Sequence, residues 1–197
     1  MTENEILKEI VETGKRMYEK GYIVSHDGNI SVLLEDTVYI TPANVSKGFM
    51  TEDQIVKMTP DGRVLNGLKP SSEYKLHLAV YRSNRNAKAV VHTHAFYATA
   101  FACMGLPLKS ETLAEAKYQL GDIPVAPFAE PGTEEVAESV APFLGQYNGV
   151  LLEKHGLVTW GGNLTEAYFR TEMAEFLAKI TYHIHTYKVG KDDSKNG

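Results

Sequence analysis

The chain has 197 residues and a formal net charge of −5, enough length for one domain with a sizeable core and too little for two. Its 43% hydrophobic and 23% charged residues are those of an ordinary globular protein. The acidic balance, with no basic stripe interleaved with aromatics, excludes a general attraction to nucleic acid.

Residues 2–20 predict an amphipathic helix. Thr2 and Glu5 form a capping-box pattern, Ile6, Ile10 and Met17 with Leu7, Val11 and Tyr18 supply an apolar face, and Gly21 ends it. No basic or apolar leader pattern precedes it and no apolar run is long enough to span a bilayer, so a cytoplasmic protein without a membrane partner is expected. Two β-rich runs, 25–34 and 37–42, flank Glu35-Asp36 and read as a hairpin. The small residues Gly28, Asn29 and Ser31 would let backbone N–H groups approach an anion, although a plain loop into an edge strand explains them as well. Thr41 to Gly48 reads as a tight loop in which Asn44 can take positive φ. Pro60-Asp61-Gly62 marks a second hairpin between Ile55–Met58 and Arg63–Leu65.

Lys69-Pro70-Ser71-Ser72-Glu73 opens a helix running through Tyr81. A serine N-cap there would present hydroxyls and free N–H groups, which serve an anion site and an ordinary cap alike. Glu73 and His77 share a face of that helix. Ala89-Val90-Val91 then reads as a buried strand that aims His92 and His94 to one side, followed by a helix from Phe96. Cys103, the single cysteine, excludes an internal disulfide and fits a reducing compartment. Its apolar neighbours predict burial and packing rather than nucleophilic chemistry. Gly121 to Ala126 predicts a short strand, and Thr133 the cap of a helix containing Val136 and Val140. Gly149 to Trp160 reads as a strand, a His155-Gly156 corner and a second strand. Asn163 or Thr165 caps a last helix, on which His183 and His185 do not face one another. Residues 191–197 are expected to be a disordered tail, leaving a single domain over 1–190.

A His-x-His pair alone fits packed histidines as well as a metal. His92, His94 and His155 together offer three nitrogens and an open position, the arrangement of a catalytic metal, and Glu73 could be a fourth ligand or a general base. Candidate phosphate donors at Asn29, Ser71 and Ser72 suggest a phosphorylated substrate. A metal beside a carboxylate base suits enolisation, which points to a carbonyl sugar phosphate. A Schiff-base reading is set aside, because Lys88 and Lys154 flank apolar runs without lying inside one.

Asp27-Gly28-Asn29-Ile30-Ser31, Ile40-Thr41-Pro42, Lys69-Pro70-Ser71-Ser72-Glu73, Val90-Val91-His92-Thr93-His94 and Lys154-His155-Gly156-Leu157 carry a resemblance over nearly the whole chain. In order and spacing they resemble the metal-dependent class II sugar-phosphate aldolases, the family of L-fuculose-1-phosphate aldolase, L-ribulose-5-phosphate 4-epimerase and the adducin head. The resemblance implies an α/β fold, a three-layer αβα domain with a mostly antiparallel central sheet. It implies a homotetramer with its sites between subunits. It also implies one Zn2+ per chain on His92, His94 and His155, with Mn2+ or Co2+ as alternatives. Glu73 would bind the metal at rest and act as base once substrate displaces it, and Gly28, Asn29, Asn44, Ser71 and Ser72 match phosphate-binding positions.

The implied reaction is cleavage of a ketose 1-phosphate to dihydroxyacetone phosphate and an aldehyde. The substrate would be L-fuculose-1-phosphate-like, or a 5-deoxy- or 5-methylthio-ribulose 1-phosphate. Glu73 favours the aldolase, since the epimerase pattern has aspartate there, and the adducin-type head lacks the metal histidines. Glu111 stands near the position of an active-site tyrosine of the fuculose enzyme, and the related methylthioribulose-1-phosphate dehydratase uses a glutamate there as acid/base. Ala43-Asn44 stands where these aldolases usually show a hydroxyl residue and glycine, and the C-terminal tail that brings a second tyrosine in the fuculose enzyme is expected to have no clear counterpart. The dehydratase and a 4-epimerase remain alternatives, as does a non-catalytic adducin-head-like interaction module.

Overall fold

A computed structural model describes the backbone of residues 2–193 and the side chains of residues 2–187. Helix α1 (Glu3–Glu19) begins as its sequence dictates: the Glu5 N–H donates to the Thr2 hydroxyl at 3.3 Å and the Thr2 N–H to the Glu5 carboxylate at 2.7 Å. Strands β1 (Asn29–Leu34) and β2 (Thr37–Ile40) form the expected hairpin, and β3 (Val56–Met58) pairs with β2. Helix α2 (Tyr74–Ser83), β4 (Ala89–Thr93), α3 (Phe96–Met104) and α4 (Ala114–Gln119) follow. The chain continues through β5 (Val125–Ala126), α5 (Glu134–Val140), β6 (Gly149–Leu152), β7 (Gly156–Gly161) and α6 (Leu164–Asp193).

The seven strands lie in the order β3-β2-β1-β4-β7-β6-β5. Every neighbouring pair is antiparallel except β5 with β6, so the sheet is mixed. Both faces are covered. Val90, Val158 and Trp160 pack with Leu76, Leu78 and Val80 of α2 and Val136 and Val140 of α5. On the other face Ala89 and Val91 pack with Ile6 and Ile10 of α1 and with Ala167 and Tyr168 of α6. Ala98 and Phe101 of α3, Ala116 of α4 and Leu177 of α6 close the same face over Leu151 and Leu157. The alternation is the period of two of an extended chain, and it places His92 on the α2 side with Val90.

Several local expectations change. The Pro60–Gly62 turn is present, but its second limb makes only the single bridge Met58–Val64 and is not a strand. Cys103 is exposed, because α3 turns Phe101 and Ala102 into the core and the next residue outward. Thr133 precedes α5, yet its hydroxyl donates back to the Glu130 carbonyl at 2.6 Å instead of capping. Asn163 caps α6 by accepting the Glu166 N–H at 2.8 Å. That helix continues through Asp193, past the start of the expected tail, and residues 194–197 lie outside the described residues. No helix among the described residues is long and apolar enough to cross a membrane.

Candidate metal centre and substrate cleft

Two neighbouring central strands deliver the three histidines. In the sheet register His92 on β4 stands between Asn29 of β1 and Val158 of β7, and His94 follows the strand end. The link from β6 to β7 is Glu153-Lys154-His155, a three-residue turn that Lys154 closes at φ +58°. This turn carries the His155 ring back toward β4. Gly156 is required beside it: a Cβ there would lie 2.5 Å from the Thr93 carbonyl oxygen and 2.9 Å from Cδ2 of His94.

The rings of His92, His94 and His155 stand 4.8–5.1 Å apart, edge to face, and their ligand nitrogens lie within 4.8 Å of one another. Nδ1 of His92 is held at 3.0 Å by the Leu157 carbonyl, and Asp27 Oδ2 faces Nδ1 of His94 at 3.6 Å. Such partners orient a ring so that its other nitrogen meets an ion. Nε2 atoms of His92 and His94 are 3.1 Å apart. Two nitrogens each about 2.0–2.1 Å from a tetrahedral zinc stand about 3.3 Å apart. Glu73 completes the group, with Oε2 3.1 Å from Nε2 of His92 and Oε1 3.5 Å from Nε2 of His155. Glu73 Oε1 and His155 Nδ1 are buried without a hydrogen-bond partner. This donor set fits a divalent metal.

The charges agree with that reading. Burial pushes the Glu73 carboxyl up, but the charge and hydrogen bond of His92, the charge of His155 and the Asn29 amide outweigh it and hold it well below the usual carboxylate range. Burial likewise pushes His92 down, and Glu73 more than reverses it. Burial and the neighbouring His92 lower His94 and His155 to about 4 each, leaving neutral imidazoles, the form that binds metal.

A cleft of about 390 Å³ opens beside Glu73, His94 and His155. Gly28, Asn29, Asn44, Ser71 and Ser72 all line it. Asn44 has φ +58° and Gly28 φ +67°, where a Cβ on Gly28 would lie 2.8 Å from the His92 carbonyl oxygen. The serines do not cap α2: Glu73 occupies that place, and its N–H donates to the Ser71 hydroxyl at 3.4 Å. Three charged lining residues have no site role in the sequence reading, although Asp27 and Lys69 stand within its motifs. Asp27 orients His94, Lys69 stands at the rim, and Lys47 is only 2% exposed, its Nζ donating to the His26 carbonyl. Burial lowers the Lys47 ammonium to about 8 against the opposing charges of Asp27 and Glu73. An Asn-Val-Ser-Lys loop carries no burial signal, so only the fold reveals this cation. Glu111 stands exposed on the 3₁₀ turn Ser110–Thr112 and does not line this cleft.

The profile of the class II aldolase and adducin N-terminal domain family matches residues 8–182. The chain belongs to that family. It is an enzyme of the lyase class. Among curated relatives, an L-fuculose phosphate aldolase of Methanococcus vannielii is 37% identical over 181 residues, spanning 92% of this chain and 98% of the relative. A 3-oxo-tetronate 4-phosphate decarboxylase of Cupriavidus necator is also 37% identical, over 91% of this chain and 84% of its own length. A solved L-fuculose 1-phosphate aldolase superposes with a TM-score of 0.89 at 30% identity, covering 95% of this chain and 89% of that one. Family membership accounts for the sheet, for its two covered faces and for a cluster of three imidazoles able to hold a metal.

Proposed function

We propose that this chain is a zinc-dependent aldolase that cleaves a ketose 1-phosphate to dihydroxyacetone phosphate and an aldehyde. The observation that carries the reading is Glu73, a buried carboxylate that touches two imidazoles of the cluster and lines the cleft. His92, His94 and His155 would hold the ion, which supplies Lewis-acid polarisation of a substrate carbonyl. Asn29, Asn44, Ser71 and Ser72, with the Gly28 backbone, bind the phosphate, and Lys47 adds the positive charge that a phosphate needs.

Cleavage breaks the bond between C3 and C4: the C4 hydroxyl gives up its proton as C4 becomes the aldehyde carbonyl, and the electron pair stays with C3. Glu73, which rests ionised and takes up a proton from water, delivers it to C3, and in the synthetic direction it removes that proton. Glu111 is the acid/base for the departing half. Because it lies outside its own cleft, it acts on the cleft of a neighbour in a homotetramer whose sites lie between subunits.

A decarboxylase reading has the support of a relative of equal identity. Loss of CO2 from 3-oxo-tetronate 4-phosphate also yields dihydroxyacetone phosphate, so the same base and phosphate site serve both reactions. A panel of ketose 1-phosphates and 3-oxo-tetronate 4-phosphate, assayed for dihydroxyacetone phosphate, aldehyde and CO2 with and without chelator, separates the two. Aldehyde release abolished by chelator is expected. CO2 without aldehyde would replace the aldolase with the decarboxylase, and product formation indifferent to chelator would overturn the metal.

A further inference from the structure

Behind Glu73 a line of buried polar groups runs into the core between β1 and α2. Asn29 Nδ2 stands 2.9 Å from Glu73 Oε2, His77 Nε2 2.5 Å from Asn29 Oδ1, Ser31 Oγ 2.6 Å from His77 Nδ1, and Tyr81 Oη 2.6 Å from Ser31 Oγ. Ser31 and His77 are fully buried, and Asn29, Glu73 and Tyr81 nearly so. The sheet explains the alignment. Asn29 and Ser31 are two apart on β1 and face α2, where His77 and Tyr81 are four apart on one side.

The direction of every bond follows from the carboxylate end. An ionised Glu73 only accepts, so Asn29 must present its NH2 to Glu73 and its carbonyl oxygen to His77. His77 therefore carries its proton on Nε2. Burial holds that ring neutral, at about 3, so Nδ1 is bare and accepts from the Ser31 hydroxyl. The Ser31 oxygen in turn accepts from Tyr81. Four groups thus donate in one sense, and the last of them, Asn29, ends on the proposed base.

We propose that His77, Ser31 and Tyr81 are positioning residues: their one-way hydrogen-bond chain locks the Asn29 amide, and through it fixes the Glu73 carboxylate against the imidazole cluster. The proposal rests on Glu73 being the base. With the chain intact, one Asn29 N–H is committed to Glu73 and the other remains for substrate. Without the His77 donor, the buried Asn29 carbonyl loses its partner and the amide is free to turn. A turned amide sets oxygen against carboxylate and displaces Glu73.

The test uses exchange of the hydroxymethyl protons of dihydroxyacetone phosphate with D2O, a probe that needs the base and no second substrate. Glu73→Gln should abolish most exchange, and full exchange in that variant would remove the proposed function itself. His77→Leu should lower the exchange rate about 10–100-fold with an unchanged metal content, and the KM for dihydroxyacetone phosphate should rise with it, because a turned Asn29 also withdraws its N–H from substrate. His77→Gln, whose amide can donate to Asn29 and accept from Ser31, should recover most of the loss, and Tyr81→Phe should show a smaller one. In a Glu73→Gln background His77→Leu should cost nothing further.

A second measurement does not depend on turnover. 15N spectra of the imidazoles should show His77 neutral with its proton on Nε2 from pH 7 to pH 5. A proton on Nδ1, an equal His77→Leu loss in both backgrounds, or failure of His77→Gln to restore exchange while folded would overturn the chain. So would full exchange in His77→Leu.

Discussion

At the scale of single residues, the centre depends on what is missing as much as on what is present. Gly156 leaves room for two imidazoles, and Gly156→Ala would push its methyl into the Thr93 carbonyl and the His94 ring. That variant should bind metal at least about 10-fold more weakly, read by competition with a chromophoric chelator, while keeping its far-ultraviolet spectrum. The histidines also set an acid limit for the metal-free protein. His77 is depressed to about 3 and His94 and His155 to about 4, against an ordinary value of 6.5. Between those values the unfolded chain binds protons that the native chain refuses, so the stability these rings contribute is whole above pH 6.5 and drains away as pH falls toward 4. His92, raised by Glu73, runs the other way, its contribution being lost as pH rises through its folded value. Three depressed rings outweigh one raised ring. Urea midpoints of the metal-free protein should therefore fall from pH 7 to pH 4.5, and His77→Gln should flatten that slope.

Elements set those residues in place, and one does so from a distance. Helix α3 starts just after His94 with Ala95 at its N-cap and no capping side chain of its own. Glu175 of α6 fills the role, accepting the N–H groups of Tyr97 at 3.0 Å and Ala98 at 2.8 Å. Glu175→Ala should cost about 1–2 kcal/mol of stability, measured by urea denaturation, and Glu175→Gln less. Local sequence announces Asn163 as a cap and Asn44 as a positive-φ residue, because each acts on backbone within a few positions of itself. His92 and His94 were legible for the same reason, and His155 through the glycine that follows it. Burial of Lys47, the cap from Glu175 and the partners of Asn29 were not legible. Their contacts join residues 21 to 78 positions apart, and nothing in a linear pattern marks such pairs. Cys103 misled in the opposite sense: apolar neighbours suggested burial, but helical phase turned it outward.

For the whole molecule, the proposed sharing of each site between subunits makes a prediction that one chain alone cannot satisfy. Glu73→Gln and Glu111→Gln proteins should each be nearly inactive, and sedimentation should show four copies in both. Mixed after dissociation and reassembly, they should regain part of the activity, because some clefts then join an intact Glu73 to a neighbour's intact Glu111. No recovery from mixed tetramers would confine each site to one subunit.

The imidazoles stand at the ends of central strands packed on both faces, whereas much of the cleft wall comes from connecting loops at 42–47 and 69–72 and at Pro131. Foundation and rim are thus separate tenants of the same architecture. Grafting a relative's loops onto this chain should exchange one leaving group for another and still leave the proton-handling floor undisturbed, which makes the scaffold suited to retooling.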